Sequence, residues 1–300
     1  MFLHIGAPIT WVAAKDSDIP NWETREKFDP KESVTGHQLR KFFDYNYGEC
    51  HVVGNIVRDT LEIGGIDLER IQFGLITHAL NSHLLTEDAD GFLGLGPQAS
   101  RTNFERTFMD YMADQKLFGC RRFGFIFNNG VEGAGYIAFG NDVETHIKGE
   151  LVFVDSTSVT NWQTELTKIM VGEHTVYVGA RATLFDTLYK SVVLPSEVAK
   201  KINELLEPTG SVGPFTVMDC EMKQGLPDIT FAFGSTQLVL KSHQYLARIK
   251  KDGRDYCVSI FAEADPTAFP FAIMGMSFIS KFDTLFDLDL MRIGFASLGR

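Results

Sequence analysis

Short apolar segments separated by glycine-containing turns make up most of this chain of 300 residues. Ile229, Phe231 and Phe233 alternate with Thr230 and Ala232, which is typical of a half-buried strand. Only the segment 103–117 and the stretch after Pro195 have the apolar spacing expected of helices. Because strands outnumber helices and do not alternate with them, the sequence predicts an all-β fold.

Charge and length narrow the class of protein further. The chain has 28 Lys and Arg against 39 Asp and Glu, a net charge of −11, which argues against a nucleic-acid partner. No apolar run approaches the ~20 residues of a membrane span. The first residues lack a basic region followed by an apolar core, so no signal peptide is expected in this chain. The length predicts about two domains of ~150 residues each.

The cysteines and histidines form no metal-binding pattern. The four cysteines are Cys50, Cys120, Cys220 and Cys257. None belongs to a Cys-x-x-Cys pair, which excludes a zinc ribbon or a thioredoxin motif. His78 and His83 are the closest histidines, and their i, i+5 spacing suits a helical ligand pair poorly, so no metal site is predicted. Spacing alone leaves open whether Cys220 and Cys257 form a disulfide or all four are thiols.

The first half of the chain carries a set of motifs in a fixed order. Asp90 to Gly96 reads Asp-Gly-Phe-Leu-Gly-Leu-Gly, and it follows Tyr47-Gly48 and the segment Asp59 to Gly65. Phe28-Asp29-Pro30 stands upstream of that tyrosine. In this order the segments resemble the pepsin-like aspartic peptidases, in which the tyrosine lies on a hairpin called the flap.

The second half resembles the same family. The matching segments are 135–142 at the lobe junction, Asn161-Trp162-Gln163, Leu226 to Phe231, Ala272 to Gly275, and Phe286 to Ala296. The resemblance therefore covers nearly the whole chain.

The resemblance implies a bilobal, all-β fold with a cleft between an N-terminal lobe, residues 1–142, and a C-terminal lobe, residues 143–300. It implies that the N-terminal lobe is shortened at its start and that Cys220 and Cys257 form a disulfide. A peptide or protein ligand in the cleft, no cofactor, a monomer, and a secreted or lysosomal location are expected from the same likeness.

An aspartic peptidase uses two carboxylates that share a proton and a water, and each stands in an Asp-Thr/Ser-Gly motif. The resemblance places the second carboxylate at Asp186 with Thr187 as its hydroxyl residue, nine residues before Pro195. Leu188 stands where the glycine belongs. A leucine there adds bulk beside the carboxylates, and it adds strain if the backbone needs a positive φ.

The first catalytic position allows two alignments. In the first, Leu3 to Val12 matches the family segment without a gap, so His4 replaces the aspartate, Ile5 the hydroxyl residue, and Gly6 keeps the glycine. Trp11 is then the tryptophan that bonds the flap tyrosine, Tyr47. In the second, Asp16 is the catalytic aspartate, which requires three deletions and puts Lys15 at an apolar strand position. The first alignment is favoured.

Both alignments damage the catalytic motifs. The sequence therefore predicts a catalytically impaired or inactive peptidase homologue, a pseudoprotease, that binds peptide in its cleft. An active acid-optimum endopeptidase, with water activated between Asp186 and a residue of the first lobe, is the alternative. A third hypothesis is an extracellular interaction protein that keeps only the fold.

Overall fold

The computed structural model describes residues 1–20, 22–48, 50–81, 89–98, 102–127, 135–221, 225–264 and 271–298. By their contacts the residues form two compact units. Unit 1 comprises Met1–Arg121 with Val159–Asn161, and unit 2 comprises Arg122–Ser158 with Trp162–Arg300.

Unit 1 is built on one six-stranded sheet. Its strands in chain order are β1 (Phe2–His4), β2 (Trp11–Ala13), β3 (His37–Tyr47), β4 (Cys50–Ile63), β5 (Ile66–Leu80) and β6 (Gly91–Gly94). Their spatial order is β1-β6-β2-β5-β4-β3. Strands β4 and β5 form a long antiparallel hairpin. The turn between them is Gly64-Gly65, and both residues have a positive φ, which glycine adopts without a steric penalty.

Unit 2 contains the other strands. They are β7 (Arg122–Phe127), β8 (Gly135–Phe139), β9 (Val152–Asp155), β10 (Gln163–Val171), β11 (His174–Phe185), β12 (Val192–Pro195), β13 (Gly210–Val212), β14 (Phe215–Met218), β15 (Ile229–Phe233), β16 (Thr236–Leu240), β17 (Leu246–Lys251), β18 (Arg254–Ser259), β19 (Phe261–Ala264), β20 (Ala272–Met274), β21 (Phe282–Asp287) and β22 (Arg292–Ser297).

These strands form three sheets, with orders β16-β15-β10-β11-β20-β12-β19, β13-β14-β18-β17 and β8-β7-β21-β22-β9. The predicted hairpin over 123–139 is present as β7 and β8. Its loop, with Asn129 and Gly130, lies outside the described residues, as does His83. The lobe boundary after residue 142 stays a prediction. By contacts, 122–142 groups with unit 2, because β7 pairs with β21.

Helices are short. They are α1 (Phe108–Asp114), α2 (Val143–His146), α3 (Ser196–Leu205) and α4 (Met276–Ile279), with a 3₁₀ turn at Ser242–Gln244. Helix α1 begins with a capping box, in which Thr107 and Asp110 each accept the other's backbone N–H. Both predicted helical segments contain a helix, α1 and α3. Within the described residues, no helix is long and apolar enough to cross a membrane.

Aromatic side chains fill the core of unit 2. The rings of Phe123 and Phe286 stack at 4.8 Å between centroids, and Trp162 meets Phe286 edge-on at 5.1 Å. Each such pair contributes about 0.5–1.5 kcal/mol beyond its buried area. Beside them, the fully buried carboxylate of Asp287 faces the guanidinium groups of Arg122 and Arg292. The buried charge of Asp287 is therefore compensated by two opposite charges.

The disulfide implied by the resemblance is present. Cys220 and Cys257 are bonded, with their Cα atoms 5.4 Å apart. Cys50 is buried in β4, and burial raises the pKa of its thiol to about 11. A thiol with that pKa is almost entirely protonated at neutral pH and is a poor nucleophile.

Asp283 is a buried carboxyl inside β21. Burial raises its pKa, although its carboxylate accepts the backbone N–H of Phe127 at 2.7 Å and that of Lys148. Because the folded-state pKa is raised, this group makes the fold most stable below the unfolded pKa of ~3.9 and less stable as pH rises through the folded pKa.

Asp283→Asn is therefore expected to gain stability relative to wild type as pH rises, because the amide does not ionise. Urea unfolding at several pH values between ~3.5 and ~7 measures this difference. Asp255→Asn, at an exposed carboxylate of β18, is the matched control and should show no such trend. An Asp283→Asn difference that stays constant with pH would contradict the prediction.

Candidate active site

In unit 1, the predicted first site lies where β1 ends. Strand β1 runs parallel to β6, and β6 pairs antiparallel with β2, which in turn runs parallel to β5. The pairing brings His4, the last residue of β1, opposite Gly94. The next residue, Ile5, begins a turn that contains Gly6.

Unit 2 repeats this arrangement with different strands. The end of β11 runs parallel to β20, β20 pairs antiparallel with β12, and β12 runs parallel to β19. Phe185 lies opposite Met274, so the next residues along each strand are Asp186 and Gly275. Each unit therefore places a predicted site residue at the end of a strand beside a glycine.

Strands β6 and β20, at whose ends the two glycines lie, each have a second neighbour, and its register shows the same correspondence between the units. Trp11 pairs with Phe92, two residues before Gly94, and Val193 pairs with Ile273, two residues before Gly275. Trp11 follows His4 by seven residues, and Val193 follows Asp186 by the same number. By strand register, His4 has in unit 1 the position that Asp186 has in unit 2.

Close packing explains why both positions are glycine. A Cβ on Gly94 would lie 2.5–2.6 Å from backbone atoms of Pro8 and Ile9. A Cβ on Gly275 would lie 2.3 Å from the carbonyl oxygen of Tyr189 and 2.4 Å from that of Ser191. In each unit the glycine thus lets the loop after the site residue fold against the neighbouring strand.

His4 is enclosed by aromatic rings. Only 1 % of its surface is exposed. Its ring centroid lies 5.4 Å from that of Tyr47 and 5.4 Å from that of Phe92, which it meets edge-on. The imidazole is therefore enclosed in the core of unit 1.

The flap residues predicted to interact are in contact. The indole N–H of Trp11 donates to the hydroxyl of Tyr47 at 2.8 Å. Tyr47 is the last residue of β3, at the end of the β3–β4 hairpin, and it pairs with Cys50 of β4. This hydrogen bond ties the end of β3 to β2.

The sequence analysis did not predict the aromatic and cationic side chains, Trp22 and Arg25, that pack against Trp11. Trp22 is buried and stacks on Trp11, with centroids 5.8 Å apart and planes at 9°. The guanidinium of Arg25 lies 4.2 Å from the Trp22 ring and donates to the carbonyl of Ala89. The i, i+3 spacing of Trp22 and Arg25 is the feature of the sequence from which this cation–π pair could have been predicted.

The second motif keeps its local hydrogen bonding. Asp186 is half-buried, and its Oδ1 accepts the backbone N–H of Leu188 at 2.9 Å. Thr187 is buried, with 4 % of its surface exposed. Leu188 is not among the residues with positive φ, so the strain considered for a leucine at this glycine position does not arise in its backbone. Compared with glycine, Leu188 therefore adds only side-chain volume at this position.

In the alignment that places His4 at the first catalytic position, unit 1 lacks the carboxyl and hydroxyl groups of the motif. Ile5 is fully buried and has no side-chain hydrogen-bonding group. Gly6 is half-buried in the turn. In the alignment that places His4 first, Gly6 is the one motif residue that unit 1 retains.

Asp16 lies elsewhere in unit 1. It is exposed in a turn beyond β2, where the backbone N–H of Lys15 donates to the carbonyl of Phe28. Strand β2 separates it in sequence from the turn that contains Gly6. Asp16 lines a surface cavity with Lys15 and Asp29, and the aromatic cluster around His4 does not line that cavity.

Among the described residues, no group of three or more His, Cys, Asp or Glu side chains could hold a metal ion. The polar side chains at these strand ends are the half-buried Asp186 carboxylate in unit 2 and the enclosed His4 imidazole in unit 1. The absence of a cofactor stays a prediction.

In both units, four strands have the same order and directions and place a predicted site residue beside a crowded glycine, as expected of the all-β pepsin-like class. The family model described as eukaryotic aspartyl protease matches residues 2–298, and the chain belongs to that family. Cathepsin D of Rattus norvegicus is 28 % identical over 305 residues, which cover 97 % of this chain and 75 % of that protein.

Two further relatives agree with this assignment. Cathepsin E of Rattus norvegicus is 27 % identical, with 97 % of this chain and 74 % of that protein covered. Cathepsin D of Homo sapiens is 26 % identical, with 98 % and 76 % covered.

Proposed function

We propose that this protein is a catalytically impaired aspartic peptidase homologue that binds extended peptide in a cleft between its lobes. The observation that carries the proposal is the strand register, which gives His4 the same position as Asp186. A site built from these two residues has one carboxylate where the family chemistry uses two.

Two neighbouring residues support impairment. Ile5 cannot make the hydrogen bond that the hydroxyl residue of the motif makes in this family. Leu188 adds bulk beside Asp186. His4, enclosed by the rings of Tyr47 and Phe92, supplies an imidazole where the family chemistry uses a second carboxylate.

Peptide binding is supported by what the chain retains. It keeps Asp186 and Thr187 of the second motif, and it keeps the Trp11–Tyr47 hydrogen bond that the resemblance predicts for the flap tyrosine. A monomer in a secreted or lysosomal compartment, with no nucleic-acid partner, is part of this proposal by likeness to the family.

The test is an assay of the purified protein on denatured haemoglobin at pH values between ~3 and ~7, with and without pepstatin. The proposal expects no pepstatin-sensitive cleavage above the background of Asp186→Ala. Cleavage that pepstatin inhibits and Asp186→Ala abolishes would favour the active endopeptidase instead. His4→Ala and Asp16→Ala would then identify which first-lobe residue assists Asp186.

A further inference from the structure

The loop between β2 and β3 folds back against unit 1. Ala14, just after β2, forms a parallel bridge with Phe28, which closes the base of the loop. Within the loop, the backbone N–H of Arg25 donates to the carbonyl of Trp22 at 3.3 Å, so the two residues share one turn. Trp22 is 1 % exposed and Arg25 is 9 % exposed. Both side chains therefore belong to the core of unit 1.

Trp22 packs on the tryptophan that bonds the flap tyrosine. Its indole stacks on that of Trp11 with the planes at 9°, and Trp11 also stacks with Phe92 at 4.5 Å between centroids. Trp11 is fully buried, and its indole N–H donates to the Tyr47 hydroxyl at 2.8 Å. The two stacked rings thus fix the plane of the Trp11 indole, and that plane sets the direction of the N–H toward Tyr47.

Arg25 ties Trp22 to the segment that precedes β6. Its guanidinium carbon lies 4.2 Å from the Trp22 ring centroid, and the guanidinium donates to the carbonyl of Ala89. The next residue of the loop, Glu26, donates its backbone N–H to the Asp90 carboxylate at 3.0 Å. A guanidinium is planar, so it can stack on a ring and donate in its own plane at the same time. The loop is therefore attached to the start of β6 as well as to β2.

The position of the Tyr47 hydroxyl depends on the orientation of Trp11. A hydrogen bond weakens steeply as its angle at the proton falls, so a tilt of the Trp11 indole weakens the bond to Tyr47. Truncation of Trp22 leaves a cavity beside Trp11, because the surroundings of a lost core side chain relax only partly. The Tyr47 ring lies 5.4 Å from the His4 ring, so a shift of this tyrosine also reaches the candidate first site.

We propose that Trp22 and Arg25 are positioning residues for the flap tyrosine. They hold the Tyr47 hydroxyl in place through Trp11, and they thereby set the affinity for an extended peptide ligand. This inference rests on the proposed function, in which the flap covers such a ligand. Neither Trp22 nor Arg25 is assigned a contact with the ligand, so their effect on binding passes through Trp11.

The first measurement is the hydrogen exchange of the Trp11 indole N–H, followed by NMR on the full chain with isotope-labelled tryptophan. This proton is protected while it is bonded to Tyr47. Trp22→Leu is expected to speed its exchange by about tenfold or more, because the bond then opens locally. Trp22→Phe keeps a ring that stacks on Trp11, and its exchange should stay within about threefold of wild type.

The second measurement is the affinity for pepstatin at acidic pH, by isothermal titration calorimetry. Trp22→Leu should weaken binding by about tenfold, and Trp22→Phe should restore most of the affinity. Arg25→Met loses the ring contact and the donation to Ala89 without removing an indole. It should weaken binding by about threefold and speed the Trp11 exchange by a similar factor. Arg25→Met also tests the proposal if Trp22→Leu does not fold.

Trp162→Leu is the matched control, because it removes an equally buried indole from unit 2. Urea unfolding gives the stability that each variant loses. At a comparable loss of stability, the control should leave the Trp11 exchange and the pepstatin affinity unchanged.

The same acceleration in Trp162→Leu, or unchanged exchange in Trp22→Leu and Arg25→Met, would overturn the proposal. Faster exchange with unchanged pepstatin affinity would overturn its link to ligand binding. Failure of wild type to bind pepstatin would instead contradict the proposed function, and the exchange rates would still decide whether the two residues position Tyr47.

Discussion

A variant carrying His4→Asp, Ile5→Thr and Leu188→Gly is expected to cleave denatured haemoglobin at acidic pH, at a rate at least about a hundredfold above wild type. The three changes give both units an Asp-Thr-Gly motif. The second carboxylate then shares a proton with Asp186, so that one carboxyl acts as base and the other as acid. The measurement is the release of acid-soluble peptide with and without pepstatin.

The same variant with Asp186→Ala is the control, and it should return to background. His4→Asp alone is expected to give a smaller gain, because Ile5 and Leu188 still disturb the motif. A triple variant that is folded by circular dichroism yet no more active than wild type would contradict the assignment of His4 to the first catalytic position.

Loss of the disulfide is the second large expected effect. Cys220→Ala with Cys257→Ala should lower the free energy of unfolding by about 3–4 kcal/mol, because the bond closes a loop with a sequence separation of 37 residues. Cys257 is buried on β18 and Cys220 follows β14, so the bond also ties the two strands of a sheet together. Urea unfolding monitored by fluorescence measures the change.

Cys120→Ala is the matched control for that experiment, because it removes a half-buried thiol of the same size that belongs to no disulfide. Its effect should be about 1 kcal/mol or less. A double variant that unfolds within about 1 kcal/mol of wild type would show that the loop is held by its strand pairing rather than by the covalent bond.

The parts of the fold that depend on glycine were predictable from the sequence. Gly94 and Gly275 stand where no Cβ fits, and Gly64-Gly65 forms a turn with positive φ. These requirements are local and steric, so the residue type reports them directly. The Trp11–Tyr47 hydrogen bond joins residues far apart in the chain, so neither segment alone predicts it. It was predicted from the likeness to the family.

Other features depend on tertiary contacts that no short segment reveals. Strands β4 and β5 extend beyond the apolar runs because pairing between them, rather than composition, sets their ends. The bulge in β3 and the burial of Asp283 follow from the register of neighbouring strands. Their side chains look ordinary in the sequence, so neither the β3 irregularity nor the raised pKa of Asp283 could be predicted from it.

The claim that His4 holds the first catalytic position is tested most directly by a crystal structure of the protein at acidic pH. The account predicts that the His4 imidazole and the Asp186 carboxylate face each other across a single shared water, with Asp16 on the surface. An Asp16 carboxylate facing Asp186, with His4 turned away from it, would contradict the account.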